Sequence, residues 1–339
     1  MTVQIGSLVR DRMSGTPAIV VPSIDRWSYS TVSVMHLNEN RWPTTLMTSA
    51  EKTFFEEYDF LEIPKGIGRV VIMADMEGVT GVPNKWAAVT PAEMTGGQRT
   101  EAYDAACRAM TLDVLMAVAG ARAAGAREVV VADSHWNDTN LAEADFDCQV
   151  LRGSNAAIRA MLGADATMLI GWHARAGAGA ACLPHTYTER IRRLSIDGQE
   201  VGEPGMLARL AAGRGVPVVM VAGDQAACDE ISGDIGCLTT STKSVDAAGV
   251  VRHRTRIEVM REIVGNAYTA IHGLALGTRP ELPRHQPGQF EVEIHAGYEV
   301  DGDTEVERVA QSKYRIRTGS ILDTYGAFQR FVERLPALT

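Results

Sequence analysis

The sequence predicts an α/β protein: a doubly wound, parallel-sheet main domain followed by a smaller α+β domain. Three observations predict it. Short, near-continuous apolar runs rich in β-branched residues recur from residue 68 onward, and Ala-rich stretches of helical period separate them. After the Pro-rich stretch TRPELPRHQPG the pattern switches to strict alternation. Strands that are apolar throughout and alternate with helices imply a parallel sheet covered on both faces.

Taken in order, residues 1–66 mix Trp, Tyr, Pro and charge without sustained periodicity, apart from short extended stretches such as TPAIVVPS. They read as an N-terminal extension whose Trp27, Tyr29, Trp42, Phe54 and Phe55 have no assigned partner. The main domain, 67–281, opens with the strand RVVIMAD. A helix then runs to about residue 124, with Met110, Val114, Ala117, Val118 and Ala121 on one face and Gly125 as its C-terminal cap. The strands REVVVADS, CQVLRG, ATMLIGW and VPVVMVAGD follow, and a second long helix spans about 257–272, carrying Met260, Ile263, Val264, Ala267 and Ile271 in register. The small domain, 282–339, holds an alternating strand with Phe290, Val292 and Ile294, a second strand YRIRTGS and a terminal amphipathic helix.

Composition narrows the function classes. With 339 residues, 45% hydrophobic and 22% charged, the chain buries a sizeable core and is neither disordered nor fibrous. Acidic residues number 42 against 33 Lys plus Arg, a net charge of -9, and no basic run offers a footprint for nucleic acid. Five scattered cysteines show no framework spacing and read as reduced thiols in a cytoplasmic protein. The N-terminus MTVQIGSLVRDRMSG lacks the pattern of a secretory leader, and no apolar run approaches the ~18 residues that span a bilayer, so membrane insertion is not expected.

In an open parallel sheet, ligands bind beyond the carboxyl ends of the strands. The first predicted strand ends in Asp75-Met76-Glu77-Gly78, which sets two carboxylates on the same side of an extended backbone. Two acids so placed repel unless a positive charge lies between them. The next strand ends in Asp133-Ser134-His135, the third in Trp172-His173, and Val201-Gly202-Glu203-Pro204-Gly205 sets another carboxylate at a helix start. Imidazoles and carboxylates converging on one rim suit zinc or a similar divalent ion. Each residue alone has a plainer reading: Asp75 and Glu77 as turn carboxylates, Asp133 or Ser134 as a helix cap with His135 a bystander, His173 as a satisfied core histidine, and Glu203 as a helix-dipole partner. Four coincidences at predicted termini outweigh those readings together. Competing motifs fail: Gly177-Ala178-Gly179 does not complete a dinucleotide loop, no G-x-S-x-G exists, and Asp75-Met76-Glu77 departs from a D-x-D loop. Cys182 reads as packing.

The segments ADMEGVTGV (74–82), ADSHWND (132–138), GWHARAG (171–177), LPHTYT (183–188) and VGEPG (201–205) together resemble the DppA-type D-aminopeptidase family, the M55 metallopeptidases, over about 68–335. The resemblance implies two zinc ions per chain, with Asp75 bridging them, Glu77 and His135 completing one site, and His173 and Glu203 the other. It assigns His185 as the catalytic histidine. It implies a ring-like homo-oligomer, for example a decamer, with enclosed active sites and a small-molecule or short-peptide substrate. The expected activity is amide hydrolysis in small peptides or amino-acid amides, as an aminopeptidase, by attack of a hydroxide bridging two zinc ions about 3.5–4 Å apart. The alternative is an amidase for a non-peptide small molecule using the same site. A structural metal site is disfavoured, because such sites are closed and usually Cys-rich.

Overall fold

The computed structural model describes residues 3–22, 31–38, 43–50, 54, 57–62, 66–83, 89–90, 96–136, 138–153 and 155–335. Trp27, Tyr29, Trp42 and Phe55 lie outside the described residues.

The N-terminal residues form more regular structure than their sequence suggests. Strands β1 (Leu8–Asp11), β2 (Pro17–Val21), β3 (Thr31–Leu37), β4 (Pro43–Ala50) and β5 (Tyr58–Phe60) build an antiparallel sheet of order β4-β3-β2-β1-β5. Leu8 pairs with Ile19 and Ile19 with Met35, forming an apolar row that joins the main core. The opposite face gathers Val9, Ala18, Val20 and Val34 around Phe54 and Tyr58. The strands are short, and apart from PAIVV in β2 no continuous apolar run marks them in the sequence.

The main sheet has seven strands in the order β14-β13-β12-β9-β6-β7-β8. These are β6 (Arg69–Ala74), β7 (Glu128–Asp133), β8 (Gln149–Leu151), β9 (Ala166–Trp172), β12 (Val218–Asp224), β13 (Leu238–Val245) and β14 (Val251–His253). All pairings are parallel except the edge strand β14, which runs against β13. The period of two sorts the central strands cleanly: Val70, Ile72 and Ala74 enter one core, and Val71 and Met73 enter the other.

The first core is roofed by α1 (Glu101–Ala123) and α5 (Arg256–Ala275), which pack against each other. Met110, Val114, Ala117, Val118 and Ala121 on α1, and Met260, Ile263, Val264, Ala267 and Ile271 on α5, are all fully buried. Helix α1 is capped by Thr100, whose side chain accepts from the Tyr103 amide; Gly125, at φ 99°, follows the capping residue Ala124. Helix α5 starts with a reciprocal capping box between Thr255 and Glu258.

The second core lies beneath α2 (Ala156–Ala160), α3 (Glu203–Ala212), α4 (Gln225–Ile235) and a smaller antiparallel sheet. That sheet has the order β11-β10-β15-β17-β16, from β10 (Ile191–Ile196), β11 (Gln199–Glu200), β15 (Phe290–Ile294), β16 (Val306–Ala310) and β17 (Lys313–Ile316). Two of its strands therefore come from 191–200, well upstream of residue 282. Phe290, Val292 and Ile294 point inward as their alternation requires, and helix α6 (Ile321–Arg334) covers them with Phe328 and Phe331. No described helix is long and apolar enough to cross a membrane.

Because Met35 shares the core of α1, the N-terminal sheet and the main sheet are expected to unfold together. Met35→Ala should cost about 2–5 kcal/mol, read in urea with fluorescence and circular dichroism moving in one transition. Two separated transitions, the second unaffected by the substitution, would show that the N-terminal sheet is an independent unit.

Candidate metal centre

The carboxyl end of β6 docks directly on the end of β9. The Asp75 amide donates to the Ile170 carbonyl at 2.8 Å and the Gly78 amide to the Gly171 carbonyl at 2.7 Å. A Cβ on Gly78 would lie 1.9 Å from the Trp172 carbonyl oxygen, so no larger residue fits that turn. This close approach sets Asp75 and Glu77 beside His173, the first residue after β9. His135 follows the end of β7 by two residues, Glu203 opens α3 after the capping residue Gly202, and His185 lies in the loop between β9 and β10. All six line one cavity of about 460 Å³.

Each imidazole has one nitrogen held by a backbone carbonyl: His135 Nε2 by Val89 at 2.9 Å, His173 Nδ1 by Ala174 at 2.9 Å and His185 Nδ1 by Leu183 at 2.9 Å. A carbonyl only accepts, so those nitrogens carry hydrogen and the opposite nitrogens face the carboxylates. His135 Nδ1 lies 3.2 Å from both Asp75 Oδ1 and Glu77 Oε2. His173 Nε2 is 3.3 Å from Glu203 Oε1 and 3.7 Å from Asp75 Oδ2. His185 stacks on His173, with ring centroids 3.8 Å apart, and its Nε2 lies 3.9 Å from Glu203 and 4.0 Å from Glu77.

The electrostatics demand positive charge. Burial, followed by repulsion from Glu77, pushes the Asp75 carboxyl up to about 7. Burial also acts most strongly on Glu77, yet His135, His173 and His185 together hold its carboxyl well below the usual range. Burial opposes charge on His173, but Glu203, Asp75 and Glu77 outweigh it and raise the imidazole to about 10; Glu77 and Asp75 likewise raise His135 well above its ordinary value. Burial and the neighbouring His173 lower His185 below the ordinary imidazole value. Among the described residues, Asp75 Oδ2 and Glu77 Oε2 are buried without a hydrogen-bond donor.

Those two orphaned oxygens, and imidazole nitrogens aimed at carboxylates, fit a bound cation in place of protons. Donor atoms of Asp75, Glu77 and His173 all lie within 4.8 Å of one another, as do those of His173, His185 and Glu203. His173 thus belongs to both clusters, and His185 stands as near the second as a ligand would. His135 joins the first through its contacts with Asp75 and Glu77.

Asp133 is not among the partners of the His135 ring nitrogens, which meet Val89, Asp75 and Glu77. It accepts from the Asn140 amide, the Asn140 side chain and the Leu141 amide, while the Asn140 side chain donates to the His135 carbonyl at 2.5 Å. Asp133 therefore fixes the loop that carries His135. The fourth strand end also bears a carboxylate, but Asp224 accepts from Ala227 at the start of α4 and from Cys182. Cys182 itself is buried in the first core. The cavity wall also includes Trp136, Tyr187 and Met206, and Tyr325 and Gln329 on α6. The Tyr187 and Tyr325 hydroxyls hydrogen-bond each other, and the Tyr187 amide donates to Glu203 at 2.7 Å. Tyr187 stands within LPHTYT and could have been singled out; nothing local marks Tyr325, an inward position on an amphipathic helix.

A doubly wound sheet with a carboxylate and imidazole cluster at its carboxyl edge defines a metallohydrolase-like class. The chain belongs to the D-aminopeptidase family, peptidase family M55, whose model matches residues 69–330. It is 30% identical over 179 residues to a D-aminopeptidase of Bacillus subtilis (strain 168), a match covering 51% of this chain and 62% of that relative. This chain therefore matches less than two thirds of that relative's length. Among solved structures it is similar to the Zn-dependent D-aminopeptidase DppA from Bacillus subtilis, a self-compartmentalizing protease, with a TM-score of 0.64 and 23% identity over 78% of this chain and 97% of that one.

Gly78→Ala should shift the Asp75–Gly78 turn off β9, costing about 1–3 kcal/mol as overpacking does and lowering zinc content. Urea unfolding and elemental analysis on one preparation check this. Wild-type stability together with full zinc would show that the close approach does not set the site.

Proposed function

We propose that this chain is a zinc-dependent aminopeptidase that hydrolyses the amide bond of small peptides or amino-acid amides. One observation carries the reading: three imidazoles, each anchored through one nitrogen to a carbonyl, present the other nitrogen to three carboxylates around one cavity. The names of the family and of its relatives support substrates of D configuration. Asp75, whose Oδ1 faces His135 at 3.2 Å and whose Oδ2 faces His173 at 3.7 Å, would be the ligand shared by the two ions; Glu77 and His135 would serve one, and His173 and Glu203 the other. When bound, zinc supplies a Lewis acid for the scissile carbonyl and an acidified water as nucleophile.

The chain's own groups do the rest. His185, with Nδ1–H fixed on the Leu183 carbonyl, directs Nε2 toward Glu77 and Glu203, where it would take a proton at the site or hand it to the leaving nitrogen. Leaving His185 out of the ligand set preserves the open positions that catalysis needs. Asp138 and Glu333 on the cavity wall favour a substrate with a free ammonium group, and Trp136, Tyr187 and Tyr325 offer aromatic surface to its side chains. The volume suits a molecule of short-peptide size. We also propose assembly into a ring-like homo-oligomer, supported by the self-compartmentalizing neighbour, and a cytoplasmic setting, supported by five free cysteines.

Elemental analysis should find about two zinc ions per chain, and a chelator should abolish release of amino acid from D-aminoacyl amides. Fully active protein free of divalent metal would overturn the proposal. Asp75→Asn should be the most damaging ligand change, because it loosens both ions. Light scattering at micromolar concentration should report an oligomer, and a monomer would remove the assembly proposal.

His185→Ala should keep both zinc ions and the melting temperature while losing roughly 10²- to 10⁴-fold in kcat. Unchanged kcat would remove its catalytic role, and loss of one zinc would make it a ligand.

A further inference from the structure

The sequence of β13, LTTSTKSV, should send alternate side chains to opposite faces, yet Thr242 and Lys243 are both fully buried. The pairing register explains this. Gly223 pairs with Ser241 and Asp224 with Lys243, so Thr242 is an extra residue in a bulge that turns two successive side chains inward. Both reach the segment just beyond the Asp75–Gly78 turn. Lys243 Nζ donates to the carbonyls of Glu77 at 2.5 Å, Val82 at 2.9 Å and Val79 at 3.3 Å, and Thr242 Oγ1 donates to the Gly78 carbonyl at 2.6 Å.

A buried ammonium is costly unless its donors are satisfied, and three carbonyls match the three hydrogens of Nζ. The segment gains equally, because the carbonyls of Glu77, Gly78, Val79 and Val82 find their donors there. From the other side, buried Asp113 on α1 accepts from the Thr80 amide at 2.9 Å and the Thr80 hydroxyl at 2.7 Å. With its carbonyl held by Lys243, Glu77 directs its side chain toward His135 and the cavity.

We propose that Lys243, presented by the bulge at Thr242, is a positioning residue of the metal centre: it fixes the Glu77 peptide and so aims the Glu77 carboxylate. This rests on the zinc reading above. Lys243 touches neither the cavity nor substrate, and it acts through Glu77.

The test is a double-substitution cycle on the full chain, read by zinc affinity in competition with a chromophoric chelator and by the melting temperature of the chelated protein. Lys243→Met should weaken one of the two zinc ions by tenfold or more. In a Glu77→Gln background the same change should weaken zinc no further, because its route of action is already gone. Unchanged zinc affinity in folded Lys243→Met, or an equal loss in both backgrounds, overturns the proposal. Should Lys243→Met fail to fold, Lys243→Gln, which keeps a side-chain N–H donor, enters the same cycle with the same two criteria. Wild-type protein that binds no zinc would instead refute the metal reading itself.

Discussion

Three carboxylates buried beside one another cannot all be ionised without a cation among them, and this constraint organises the carboxyl edge of the main sheet. Asp75, Glu77 and Glu203 arrive from two elements far apart in sequence, and the imidazoles of His135, His173 and His185 come from three further points. Holding such a set costs stability wherever positive charge is missing. The surrounding structure opposes that cost with rigid backbone. The Asp75–Gly78 turn is pinned to β9, His135 sits on a loop fixed by Asp133 and Asn140, and each of the three site histidines is tethered to a carbonyl. The donor groups of the proposed zinc site are therefore held by backbone, which is what a preorganised site requires.

That rigidity is possible because the sheet is buried on both faces. Alternate residues of β6 feed two different cores, and each core has its own helical roof and an additional antiparallel sheet. The parallel strands thereby end in a layer shielded from water on both sides, where hydrogen bonds and charge interactions are strong and a misplaced polar group is costly.

Much of this was legible in the sequence for a definite reason. Central parallel strands are apolar throughout, so RVVIMAD, REVVVADS, ATMLIGW and VPVVMVAGD stand out, and the residues just beyond them fall where parallel sheets place chemistry. Helices α1 and α5 showed their period because one face of each is buried along its length. The N-terminal strands lacked such a signal: short and, in β2 and β4, opening on Pro, they blend into their turns. Strands β10 and β11 were missed for a related reason, since IRRLSI is short and one third charged. Asp75, Glu77, His135 and His173 were visible because their chemistry is local to strand ends, Glu203 because it opens a helix, and His185 only through the resemblance of LPHTYT to the family motif. Lys243 was not, because a lysine in TTSTKSV reads as a solvent-facing edge residue until the bulge and the buried carbonyls around it are seen.

Helix α6 shows how the site divides its labour. The groups suited to bind metal come from the sheet edge, the His185 loop and the start of α3, whereas Tyr325, Gln329 and Glu333 reach the same cavity from a helix more than a hundred residues downstream of Glu203. The tyrosine pair joins the two contributions across the wall. The donor groups and this part of the chamber wall are thus encoded in separate stretches of the chain. Variation along the roughly two turns of α6 from Tyr325 to Glu333 can reshape the chamber while leaving every donor group in place.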